Sequence, residues 1–154
     1  MDKIIKQLTD AIAYGILIKE RDLSSKDIAS MLEEIRDTFS QQAEEAGDLR
    51  LEVDRLVSGQ KFKTLSRRDL PFEEIEGIYN ELLLLGFSSL MEEGTVGIFY
   101  AQFCIRHQKF ELARKVLDVL LLKAMDVSSG PPRVRKQLAR DANRALDELR
   151  LRET

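Results

Sequence analysis

Two side chains come first in any search of this sequence for chemistry: Cys104 and His107, the single cysteine and single histidine among 154 residues. One of each cannot build a structural zinc site, which takes four Cys or His ligands, and a lone cysteine closes no internal disulfide. Cys104 reads as a small buried hydrophobe. His107, flanked by Arg106 and Lys109, reads as a surface turn residue rather than a general base. The carboxylate pairs Glu33-Glu34, Glu44-Glu45, Glu73-Glu74 and Glu92-Glu93 are adjacent in sequence, so they diverge on a helix surface instead of converging on a substrate. A phosphate-cradling glycine loop, a His-Glu-x-x-His helix and a Cys-x-x-Cys pair are all missing from the sequence. The expectation is a protein that is not an enzyme and has no cofactor and no metal.

Recognition chemistry is better represented. Arg133, Lys136, Arg140 and Arg144 recur at steps of three and four, which lines four cations along one helical stripe, opposite an apolar stripe of Val134, Leu138, Ala142, Ala145 and Leu149. The cations suit a solvated capping helix or the docking of an acidic partner. Nucleic acid is a poor fit, because no aromatic is interleaved to stack bases and the sequence pI is near 5.4. Charge is unevenly distributed: residues 1–60 hold 8 basic and 13 acidic groups, whereas residues 106–154 hold 12 and 7. Such polarity can steer a partner of opposite sign.

These residues need elements to position them, and the composition points to helices. Aromatics make up only 6%, Trp is absent, and 8 Gly with 3 Pro are too few for a turn-dense sandwich or barrel. An all-α single domain over 1–154 is expected, built from six helices near 2–19, 25–57, 71–91, 95–107, 110–125 and 133–151. In the first, Ile4, Ile5, Leu8, Ile12 and Ile16 recur at helical spacing. The second carries a heptad seam from Ile28 through Leu32, Ile35, Phe39, Gln42, Ala46, Leu49 and Val53 to Leu56, with a bend expected at Gly47. That seam can close internally, as part of a hairpin over 1–57, or between two copies as a homodimer through residues 28–56. Residues 58–70, with Lys61, Lys63, Arg67 and Arg68, read as a basic linker. Helical hairpins follow over 71–151. Glu92-Glu93-Gly94 reads as a break, with Thr95 capping the next helix.

Around the shortest turn, Gly97-x-x-Tyr100-Ala101-x-x-Cys104 is followed by Ala113-x-x-x-Leu117. Over residues 94–125 this resembles one tetratricopeptide-type hairpin, in which Ala101 and Ala113 sit where two antiparallel helices cross closely. Gly97 stands where that family has a large aromatic, Cys104 where it has Tyr, and Met125 where Pro usually closes the unit. One period of about 34 residues to either side shows no second copy. The resemblance implies a superhelix of hairpins, the alternative being a generic bundle. It also implies a groove lined by Thr95, Ile98, Gln102, Ile105 and Arg106, the alternative being that Ile98 and Ile105 are simply core.

The longest uncharged windows, Leu82–Met91 and Gly94–Ile105, have ten and twelve residues, against the roughly 20 needed to span a bilayer. Charges at Lys6, Asp10 and Lys19 interrupt any signal-like apolar run. A cytoplasmic adaptor, chaperone or inhibitor-like protein that binds another protein through a helical groove is the expectation. The alternative is a self-associating coiled-coil module, and neither involves nucleic acid or membrane.

Overall fold

The computed structural model of the chain describes residues 2–45 and 49–153. Among them there are seven α-helices and no strand: α1 (Asp2–Ile12), α2 (Ser25–Glu45), α3 (Leu49–Leu65), α4 (Phe72–Leu85), α5 (Leu90–Arg106), α6 (Phe110–Met125) and α7 (Pro132–Glu153). The all-α class follows from the apolar periodicity, and among the described residues no helix is long and apolar enough to cross a membrane.

The expected first helix changes character partway. Its α-helical part stops at Ile12, a π-helical turn spans Ala13–Leu17, and a 3-10 turn spans Glu20–Asp22. The wider turn leaves Tyr14 and Ile18 exposed while Ile16 stays fully buried. Ser24 Oγ then accepts a hydrogen bond from the Asp27 amide at 3.0 Å, the N-terminal cap expected for α2.

The single helix expected over 25–57 is two, α2 and α3, packed against each other. Gly47, the expected bend, and Ala46 lie outside the described residues. Ile28, Leu32, Leu49 and Val53 from the seam are buried in one core. The ion pair of Lys61 with Glu33, at 3.8 Å, joins positions symmetric about the connection, as an antiparallel hairpin requires. Apolar residues on both limbs can bury each other by folding back, and Ile35, Phe39 and Leu56 complete the packing while remaining partly accessible.

The basic linker expected at 58–70 is for the most part not a linker. α3 continues to Leu65, and Phe62, Thr64, Leu65 and Ser66 are all buried. Its cations are committed to folded partners. Lys63 meets Glu92 at 3.0 Å, and Arg68 donates to the carbonyls of Leu23 and Glu20 at 2.8 and 2.7 Å. Basic density there reflects side chains that tie α3 to its neighbours.

α4 ends six residues earlier than expected, at Leu85, because Gly86 takes φ 78°, a conformation that favours glycine. Arg55 secures that end by donating to the Leu85 carbonyl at 3.0 Å. α5 then becomes the central element, packed against α3, α4, α6 and α7. Rings from three helices meet there: Tyr79 stacks on Tyr100 with centroids 3.8 Å apart, Phe62 lies 5.8 Å from Tyr79, and Phe72 lies 5.8 Å from Phe103.

Candidate functional site: a groove between α5 and α7

The site begins with a cap that the expected Glu92–Gly94 break conceals. Ser89 Oγ accepts a hydrogen bond from the Glu92 amide at 3.2 Å, so α5 starts at Leu90, five residues before Thr95. Glu92 and Glu93 belong to its first turn, where carboxylates offset the positive end of the helix dipole. Thr95 is consequently inside the helix, and its hydroxyl donates to the Met91 carbonyl at 2.9 Å instead of capping.

The opposite wall is set by the turn between α6 and α7. Asp126 accepts hydrogen bonds from the Ser128 amide and hydroxyl at 2.9 and 2.7 Å, which hold its carboxyl below the usual range. Arg135 donates to the Gly130 carbonyl at 3.1 Å. α7 packs against α5, and at Gly94 a Cβ would stand 3.0 Å from Leu138 Cδ1, so a larger residue there would force the Leu138 side chain to shift.

Between the two helices runs a groove of about 730 Å³. Leu90, Met91, Gly94, Val134 and Leu138 make its apolar surface, and Met91 is 64% exposed. Thr95 stands on the α5 wall. Arg133, Lys136 and Arg140 stand on the α7 wall, together with Gln137, which donates to Asp141 at 2.9 Å. Arg144 continues the stripe one turn beyond the groove and is exposed. Among the described residues, Arg133, Lys136, Arg140 and Arg144 take part in no ion pair or side-chain hydrogen bond, unlike Lys63 and Arg67, which reach Glu92 and Glu20.

The residues singled out in the sequence therefore separate into two groups. Thr95, Arg133, Lys136 and Arg140 converge on one groove. Ile98 and Ile105 are not among the residues lining this groove and lie in the core, at 8% and 0% exposure. Gln102 is half-buried and outside the groove lining. Arg106 is exposed at the far end of α5, donates to the Ser66 carbonyl at 2.5 Å, and lies over the Phe103 ring. Met91, Gly94 and Val134 were not anticipated in the groove, although Ser89-x-x-Glu92 carries the capping pattern that puts Met91 on the first turn of α5.

Cys104 is fully buried, and among the described residues no cluster of His, Cys, Asp or Glu could hold a metal ion. His107 is half-buried, its ring 4.3 Å from Phe103. Burial pushes the Cys104 thiol up to about 11 and Tyr79 up to about 12, and burial likewise raises Tyr100. These groups release protons more readily from the unfolded chain than from the folded one. Their contribution to stability is therefore fully present below pH 9, the ordinary thiol value, and is lost as pH rises toward 12. Circular-dichroism melts across that range test the slope, and a melting temperature that rises with pH would contradict it. The thiol should react with a disulfide reagent only as fast as the chain unfolds.

No family model, no curated protein and no solved structure matches the chain.

Proposed function

We propose that this chain is a non-enzymatic protein–protein interaction module, of adaptor, chaperone or inhibitor type, that binds a partner protein through the groove between α5 and α7. The observation that carries this reading is the juxtaposition of an apolar floor with three unpaired cations on one wall. Apolar surface withdrawn from water supplies affinity, about 25 cal/mol per Å². Exposed charge of one sign supplies steering and orientation. The packed α5–α6 pair, with Ala101 and Ala113 fully buried, supports a tetratricopeptide-like scaffold behind the groove. An enclosed, single Cys104 is compatible with a reducing, cytoplasmic setting. Self-association through residues 28–56 is less favoured, because Ile28, Leu32 and Val53 would have to leave the hairpin core.

The test is a charge reversal. With the full chain as bait, the partner retained by wild type is identified by cross-linking, and its association is measured for wild type and for K136E/R140E at two salt concentrations. The reversed chain should melt with wild type, because both side chains are exposed and unpaired. It should associate about tenfold more slowly and lose most of the salt dependence. Equal rates and equal salt dependence would remove the groove from consideration.

A further inference from the structure

Resting on the groove as the binding site, we propose that its occupant is a short amphipathic helix of the partner protein, acidic along one flank and apolar underneath. Three features of the groove favour that occupant.

The walls differ chemically. The α7 side presents Arg133, Lys136 and Arg140, whereas the α5 side presents Met91 and Thr95, with no charge among these two. A ligand must therefore be two-sided, with carboxylates facing α7 and neutral or apolar groups facing α5. Among the described residues Asp141 is the one carboxylate lining the groove, against Arg133, Lys136 and Arg140, so the lining carries a net positive charge.

The spacing of the cations is that of a helix. At about 1.5 Å per residue, Arg133, Lys136 and Arg140 lie about 4.5 and 6 Å apart along α7. Carboxylates at i, i+3 and i+7 of a helix laid alongside repeat at the same intervals. In an extended segment, side chains on one face recur about every 6.8 Å, so a third carboxylate would fall about 3 Å out of register.

The apolar lining is small and mixed in exposure. Gly94 lets Leu138 approach α5, Leu90 and Leu138 are buried, Val134 is half-buried, and Met91 is exposed. One or two apolar side chains on the underside of a helix would fill it, the usual anchors of helix-in-groove recognition.

The experiment uses the full chain and two fluorescein-labelled synthetic peptides of identical Leu, Glu, Ala and Gln composition and net charge. In one, Glu and Leu fall on adjacent helical faces; in the other, they alternate strictly. Binding is read by fluorescence anisotropy and peptide helicity by circular-dichroism difference spectra. The helical pattern should bind about tenfold tighter than the alternating one, gain helicity on binding, and weaken about tenfold with K136E/R140E or with Met91→Gln, which removes apolar surface without adding charge. Equal binding of the two peptides, or a loss with the charge reversal and none with Met91→Gln, would overturn the proposal in favour of undirected charge attraction. Binding of neither peptide would overturn it too. In that case a natural partner still lost on K136E/R140E leaves the groove standing with a different occupant, whereas a partner indifferent to that reversal dismisses the groove itself.

Discussion

Phe62→Ala should destabilise the chain by about 3–5 kcal/mol, the range for truncating a fully buried aromatic, and the loss should appear as a lower midpoint in urea denaturation. Phe62 has no exposed surface, and its ring lies 5.8 Å from Tyr79 and 6.3 Å from Tyr100. Alanine would leave a void among rings held by three helices, where collapse of the surroundings is restricted. Against a typical domain stability of about 5–15 kcal/mol, the substitution removes a third or more of the margin in many cases. A change below about 1 kcal/mol would instead fit the solvated basic linker that the local sequence suggests, since surface substitutions usually stay within about 0.5 kcal/mol.

Ala101→Leu should cost about 1–3 kcal/mol through overpacking. Ala101 is fully buried on α5, the helix with packed neighbours on α3, α4, α6 and α7, so three added carbons have no solvent side to turn toward. The tightness of this region is visible one turn away, where a Cβ on Gly97 would stand 2.8 Å from Leu120 Cδ1. Thermal melts of the variant beside wild type decide the matter. Coincident melts would mean that α5 and its neighbours are loosely apposed at Ala101, and would take away the main physical support for a tetratricopeptide-like hairpin.

What could be read from the sequence divides along a physical line. α6 was legible because the Gly130-Pro131-Pro132 turn stops it with strong breakers and the polar His107-Gln108-Lys109 interrupts the apolar pattern before it, and its observed span, Phe110–Met125, is the expected one. α5 was not, because Glu92-Glu93-Gly94 resembles a turn by composition. Whether a glycine breaks a helix or lets another helix approach depends on what lies across from it, here Leu138. For the same reason, residues 58–70 read as a linker in sequence: cation density looks alike whether the side chains are solvated or tied to Glu33, Glu92 and Glu20. The cationic wall of the groove was legible from its spacing of three and four. Its apolar floor was not, since it exists only once α7 lies against α5. Ile98 and Ile105 carried the opposite problem, because an apolar helix face facing a partner and one facing the protein's own core have the same sequence pattern.

The ring cluster sets how the chain comes apart. In an array of helical hairpins each unit touches only its neighbours, and unfolding can fray inward from an end with the remainder intact. Here Phe62 from α3, Phe72 and Tyr79 from α4, and Tyr100 and Phe103 from α5 share a single set of contacts. Loss of any one of these helices strips partners from the other two, so the free energies of opening for α3, α4 and α5 should be linked rather than independent. Five of the ten aromatic residues of the chain are thus placed where they bind three successive helices into one melting unit.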